Sequence, residues 1–149
     1  MSEVRPELLP AAVVRTTHYP IDVQFGDCDP AGIVFFPNFS RWMDASSAFF
    51  FRSCGLPPWS EMTELPGSVG APLLEIHTKF IKSATYGETL EVRTRIEAWR
   101  AKVFIQHHRV QRGDELICEG RETRAFCVRD GEGRLRAVPI PDFIRAACA

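Results

Sequence analysis

The sequence predicts an α+β fold in which one long helix lies on a curved antiparallel sheet of five or six strands. Three observations predict it. A single helical stripe of large aromatic residues runs through 37–54. One alternating segment precedes that stripe, and four or five follow it. Short turn sequences separate the later segments. A period of 2, then 3.6, then 2 repeatedly describes a helix laid on one face of an antiparallel sheet.

Residues 1–12, with Pro6 and Pro10 and little periodicity, are expected to form an N-terminal arm, and 13–149 a single domain. Residues 13–25 alternate well enough for a first strand. Tyr19-Pro20 marks an expected bulge or break, because proline cannot donate to a ladder. Pro37 suits the first helical position, where its missing N–H has no partner anyway. Phe39, Trp42, Met43, Ser46, Phe49, Phe50 and Cys54 then follow the spacing of one helical face. Gly55 suits the residue just past the helix, and Pro57-Pro58 prevents any resumption. Leu74, Ile76, Thr78 and Phe80 alternate with Glu75, His77 and Lys79. Tyr86-Gly87-Glu88 reads as a turn, and Leu90, Val92, Thr94, Ile96 and Ala98 alternate up to Trp99. Residues 102–112 alternate again. Arg112-Gly113-Asp114 turns into 115–128, and Asp130-Gly131-Glu132-Gly133 turns into 135–138. Turns this short join neighbours, so the strands are expected to form a meander.

At 149 residues the chain has room for one real core. Its hydrophobic fraction of 45% and charged fraction of 25% are those of an ordinary globular protein. A net charge of -1 argues against a nucleic-acid partner. Arginine is concentrated after Arg93, which leaves room for a local anion site. The five cysteines, at 28, 54, 118, 127 and 148, form no CxxC pair. With no secretory signal, they read as free thiols of a reducing cytoplasm. The longest apolar runs, such as 48–51, are too short to cross a membrane, so no membrane partner is expected.

The stretch richest in chemistry is Phe25-Gly26-Asp27-Cys28-Asp29-Pro30-Ala31-Gly32-Ile33-Val34-Phe35-Phe36-Pro37-Asn38. Two carboxylates sit in a turn that runs into the start of the helix. A helix start presents unpaired N–H groups and the positive end of the helix dipole. An acid beside such donors can act on a carbonyl whose oxygen gathers negative charge. Asp-Pro and Ala-Gly are equally ordinary turn chemistry, and the residues alone leave both readings open. Other chemistries fit less well. His107 and His108 are adjacent in a strand and point to opposite faces, so they cannot share a metal from one face. No His/Cys spacing suits zinc, and neither a metal nor a cofactor is expected. Cys28 lies between two carboxylates, which disfavour its thiolate. No G-x-S-x-G elbow is present for a serine hydrolase.

The part of this stretch from Phe25 to Val34 resembles the 4-hydroxybenzoyl-CoA thioesterase family of hotdog-fold proteins. Further matching pieces are Pro37-Asn38, Arg41-Trp42, Cys54-Gly55-Leu56-Pro57-Pro58-Trp59, Val69-Gly70, Glu97-Ala98-Trp99-Arg100 and Leu135-Arg136-Ala137. The resemblance covers about residues 18–145 in one collinear order. It implies a hotdog fold, hydrolysis of an acyl-CoA, dimers with a continuous sheet that commonly pair into tetramers, and active sites at the dimer interface. It implies Asp29 as the acid, either attacking the acyl carbon to give a mixed anhydride or acting as general base on water. Asp27 is then a turn or capping residue. The backbone N–H of Phe36 is implied as the oxyanion donor. Asp44 is implied near the far end of the substrate ring; read alone, it is a solvated helix residue. Phe35, Trp59 and Ala71-Pro72-Leu73 are implied around the acyl group and pantetheine, and Arg100, Lys102 and Arg136 around the CoA phosphates. Two features depart from the family pattern. Phe35-Phe36 stands where near relatives in the family carry Trp-Tyr, and Ala101 where a near relative carries a basic residue. The expected substrate is an aromatic acyl-CoA, 4-hydroxybenzoyl or benzoyl. The alternatives are a short aliphatic acyl-CoA or acyl-carrier-protein thioesterase, and a non-catalytic acyl-CoA-binding domain.

Overall fold

A computed structural model describes residues 14–149. The expected arm at 1–12 and the start of the first predicted strand at Val13 lie outside the described residues. The chain forms β1 (Thr17–Asp22), α1 (Pro37–Ser53), β2 (Ser68–Gly70), β3 (Leu73–Phe80), β4 (Thr89–Trp99), β5 (Val103–Arg112), β6 (Glu115–Ala125), β7 (Cys127–Arg129), β8 (Leu135–Ala137) and α2 (Asp142–Ala147). Short 3-10 turns at Phe25–Asp27 and Trp59–Glu61 flank α1. The main sheet has five strands in the order β1-β4-β5-β6-β3, all antiparallel, and a small sheet has the order β2-β7-β8. The α+β expectation therefore holds, with α1 across one face of the sheet.

Four details differ from the sequence reading. β3 does not pair with β4, so the meander is limited to β4, β5 and β6. The segment 81–88 is longer than a hairpin loop, and it carries the chain past the start of α1, where Val34 N–H donates to Ala84 O at 2.8 Å. Pro20 does not break β1, whose register runs unbroken from Thr17↔Thr94 to Asp22↔Thr89. β1 is an edge strand, where a missing N–H has nothing to pair with. The predicted strand at 115–128 divides at Phe126. There the Phe126 N–H donates to Lys102 O and its carbonyl accepts from Val138 N–H, both at 2.9 Å, and the chain leaves the main sheet for the small one. Finally, β2 and α2 were not foreseen, being too short to show a period.

The helix ends as its sequence requires. Pro37 occupies the first turn, and Gly55 takes φ +81°. Gly55 N–H bonds Arg52 O at 2.9 Å and Leu56 N–H bonds Phe51 O at 3.3 Å, a Schellman closure. The buried face of α1 comprises Phe39, Trp42, Met43, Ser46, Ser47, Phe50 and Phe51. Phe49 and Cys54, expected in the stripe, are only half-buried, and Ser47 and Phe51 take their place. The buried band is wider because the Trp59 turn folds over its flank. The Phe51 ring meets Trp59 at 4.9 Å and Phe104 at 5.3 Å, both edge to face. The first half of α1 packs on Ile21, Leu90, Val92 and Val110, and the second half on Phe104, Phe126, Ile140 and Ile144.

Candidate active site

The turn before α1 assigns its two carboxylates different work. Asp27 Oδ2 accepts from Gln24 N–H and Oδ1 from Arg41 Nη2, both at 2.9 Å. Its carbonyl accepts from Phe35 N–H at 2.9 Å and Asn38 Nδ2 at 2.8 Å. Asp27 thus ties the turn to the first turn of the helix, the structural part expected of it. Asp29 is half-buried, and Oδ1 accepts only the Ala31 N–H, at 2.9 Å. Its second oxygen has no partner among the described residues. The Asp29 N–H bonds Ile33 O and its carbonyl accepts Gly32 N–H, both at 2.9 Å, so the backbone carrying this acid is closed on itself. Gly32 is needed there because its φ is +79°.

Phe36 is the cap of α1. No side chain caps this helix start, and no acid stands in its first turn. The positive end of the dipole is left without a counter-charge on its own element. Among the described residues the Phe36 N–H has no acceptor. Phe36 lines a cavity of about 250 Å³ that is walled mainly by Ile33, Val34, Phe39, Phe80, Ile81 and Ala84, with Lys82 and Ser83 at one side. Phe35 lies outside that cavity, with its ring 5.4 Å from that of Phe36.

A second cavity, of about 200 Å³, is lined by Asp44, Ser47, Ala48, Phe51, Trp59, Ala71 and Arg124. Asp44, Trp59 and Ala71 are thus brought together. Pro72 and Leu73 are next in the chain but do not line this cavity; Pro72 O accepts Ala125 N–H at 3.1 Å. Arg124 joins the group from β6. Its Nη2 donates to Asp44 Oδ1 and Glu122 Oε2, both at 2.7 Å, and Nη1 donates to Ala71 O at 3.0 Å. Behind it, Glu122 Oε1 meets His108 Nε2, His108 Nδ1 meets Thr94 Oγ1 at 2.7 Å, and Thr94 Oγ1 meets Ser46 Oγ at 2.6 Å. Ser46, Thr94, His108 and Glu122 are all buried. Burial pushes the Glu122 carboxyl up, but the hydrogen bond and charge of His108, with those of Arg124, outweigh it and hold the group below the usual carboxylate range. Sequence reasoning missed this row. Glu122 and Arg124 share strand parity with Cys118 and Gly120, which face α1, and that parity shows only once the sheet is formed. The expectation for the two histidines holds, since His107 meets Glu119 on one face and His108 meets Glu122 on the other.

The basic residues are exposed. Arg100 and Lys102 lie in the β4–β5 turn and Arg136 in β8. Lys102 O and Val138 N–H both bond Phe126, so the turn and β8 border one residue. None of the three side chains has an acidic partner among the described residues. The sequence-predicted residues therefore form two groups. Asp29, Phe35 and Phe36 stand at the start of α1, where Phe80 ends β3. Trp59, Ala71, Pro72, Leu73 and the basic residues stand at the other end, where Leu73 begins β3. Asp44 lies eight residues into the helix from Phe36, about 12 Å along its axis at 1.5 Å per residue.

The fold and these residues define a class. The family model of the thioesterase-like superfamily matches residues 23–148, and the chain belongs to that family. It has the hotdog fold and is a thioester hydrolase by class. Among particular relatives, the 4-hydroxybenzoyl-CoA thioesterase of Pseudomonas sp. (strain CBS-3) is 46% identical over 128 residues, which is 82% of this chain and 90% of that protein. A crystal structure of a 4-hydroxybenzoyl-CoA thioesterase Asp-to-Asn mutant, complexed with 4-hydroxybenzoyl-CoA, is 41% identical with a TM-score of 0.85, covering 91% of this chain and 99% of that one. A gentisyl-coenzyme A thioesterase structure is 31% identical with a TM-score of 0.75, covering 91% and 100%. Among the described residues no helix is long and apolar enough to cross a membrane.

Proposed function

We propose that this protein hydrolyses an aromatic acyl-CoA, preferentially one with a ring hydroxyl, to the free acid and CoA, and that it does so as a homodimer whose sites draw on both chains. The observation that carries the reading is the division of the site residues between the two ends of β3. β3 is an edge strand of eight residues, and Leu73, Leu74, Ile76 and Phe80 on it are 40–62% exposed. A long exposed edge whose outer N–H and C=O groups have no strand partner among the described residues is a template for another strand. Antiparallel pairing of β3 with its own copy sets the Phe80 end of one chain against the Leu73 end of the other. Asp29 and Phe36 of one chain then face Asp44, Trp59 and Ala71 of the other. The sheet becomes continuous, and both half-sites are completed at once. The resemblance further implies that two dimers pair into a tetramer, which light scattering reads as four 16.8 kDa chains.

The chemistry follows from the placement. The Asp29 oxygen not held by Ala31 attacks the thioester carbon. The carbonyl oxygen takes the electron pair and is stabilised by the Phe36 N–H at the helix start. Collapse expels the CoA thiolate and leaves a mixed anhydride on Asp29. Water then hydrolyses that anhydride to the free acid and the carboxylate. The same carboxylate serving as a base on water needs the same placement. The Asp44–Arg124 pair argues against an aliphatic acyl chain, which would bury polar groups without giving them a partner. All three relatives named above are named for hydroxylated aryl groups. A role as a silent binder leaves the free Asp29 oxygen without a purpose. Five cysteines without a disulfide suit a reducing cytoplasm.

Thiol release over benzoyl-, 4-hydroxybenzoyl-, hexanoyl- and acetyl-CoA tests the reading. The aromatic thioesters are expected to be hydrolysed fastest, and a preference for hexanoyl- or acetyl-CoA would overturn it. The basic residues give a separate prediction. Arg100→Ala and Arg136→Ala are expected to raise KM more than they lower kcat, since distant phosphate contacts hold ground and transition states alike. Exposed contacts of this kind are worth about 1 kcal/mol or less each. An acyl-pantetheine lacking the nucleotide is expected to show no such loss. Equal losses on both substrates would remove the two residues from CoA binding.

A further inference from the structure

We infer that Arg124 is a positioning residue for ring recognition: anchored by the buried Glu122–His108 pair, it orients the Asp44 carboxylate toward a hydroxyl on the acyl ring. The inference rests on the aromatic reading above and deepens it. Asp44 alone is a poor recognition group. Its side chain is 65% exposed on the surface of α1, where it is free to take many rotamers. Arg124 changes that. Its side chain is only 10% exposed, and one guanidinium joins α1, β6 and the link between β2 and β3. It bonds Asp44 on α1, the Ala71 carbonyl before β3 and Glu122 on its own strand. Asp44, Ala71 and Arg124 line the same 200 Å³ cavity, so the guanidinium ties together two of its walls. Only one Asp44 oxygen is engaged, and the other is available to accept a hydroxyl.

The anchor explains why arginine stands there. A lone buried guanidinium is costly unless paired. Glu122 supplies the pair on one oxygen, and its other oxygen meets His108 Nε2. His108 is in turn fixed through Nδ1 by Thr94, and Thr94 by Ser46 of α1. The row begins and ends on the same helix, at Ser46 and Asp44, two residues apart. It therefore fixes Asp44 relative to the helix that carries it and to the sheet beneath. The fork of arginine is suited to holding two carboxylates and a carbonyl together, while a lysine ammonium is a point charge.

The test compares kcat/KM on 4-hydroxybenzoyl-CoA with that on benzoyl-CoA, in wild type, Asp44→Ala, Arg124→Met and Arg124→Lys. Wild type is expected to favour the hydroxylated ring and Asp44→Ala to lose that preference. Arg124→Met is expected to lower the ratio by about tenfold or more, the worth of one hydrogen bond to a charged group. Arg124→Lys is expected to fall between Met and wild type, and it carries the test by itself should the Met variant not fold. A merely structural role would lower both substrates equally and leave the ratio unmoved. A wild-type ratio in the Arg124 variants, with the preference lost in Asp44→Ala, overturns this inference alone. No preference in wild type overturns the hydroxyl reading and this inference with it.

Discussion

Asp29→Asn is expected to lower kcat on an aromatic acyl-CoA by about a thousandfold or more while leaving KM and the fold nearly unchanged. The substitution is nearly isosteric. The introduced amide would still offer a side-chain oxygen to the Ala31 N–H, and the backbone bonds to Ile33 and Gly32 are untouched. What is lost is the anionic oxygen that has no partner among the described residues, and its loss bears on the transition state rather than on folding. Removing a nucleophile from an assembled site costs on the order of 10³–10⁶ in kcat, because no neighbour replaces it. Asp27 does not substitute, since both its oxygens are engaged, by Gln24 and Arg41. The measurement is steady-state thiol release with circular dichroism as the fold control. Turnover within tenfold of wild type would refute the role given to Asp29.

The turn that carries Asp29 and runs into the helix start was legible in the sequence, and the reason is local. The turn at 25–36 is held by bonds among near neighbours: Asp27 to Gln24, Asp29 to Ala31, Gly32 and Ile33, and Phe35 back to Asp27. Such geometry is encoded in consecutive residues, so an Asp-Pro-Ala-Gly run before a helix start can be recognised as written. The single long helix was legible for the same reason, from Pro37 at one end and Gly55 at the other. The strand order was not. Whether β3 pairs with β4 or with β6 depends on where the segment 81–88 leads, and nothing within β3 states it. Pro20 was misread because an edge position is a property of the sheet, not of the strand.

The buried row from Ser46 to Asp44 was illegible for a different reason. It joins residues 46, 94, 108, 122, 124 and 44, on four elements, and each alone looks like an ordinary polar residue. Alternation in β6 tells which face Glu122 and Arg124 occupy only once the parity of the strand is known. Gly120 shows that parity: an added Cβ there would lie 2.6 Å from Met43 Sδ on α1. Charge on the helix-facing side of a sheet is then a sign of a polar network and not of a solvated surface.

That network carries the largest expected effect on stability. Glu122→Ala is expected to destabilise the protein by about 3–5 kcal/mol, because it leaves His108 and Arg124 as uncompensated groups in the interior. For a chain of this size each kcal/mol moves Tm by roughly 2–4 °C, so the drop is on the order of 10 °C at fixed protein concentration. Glu122→Gln retains an acceptor for Arg124 and is expected to lose less. The pH dependence follows from the direction of the shift. A carboxyl held below its ordinary value of about 4.3 stabilises the fold above that value and loses the contribution as pH falls through the depressed one. The wild-type stability curve should therefore fall more steeply below about pH 4 than that of Glu122→Ala, and the gap between the two should narrow toward low pH. Thermal melts of both proteins between neutral and acid pH make the comparison. A gap that stays constant with pH, or a neutral-pH loss under about 1 kcal/mol, would mean that Glu122 is not the ionised centre of the row.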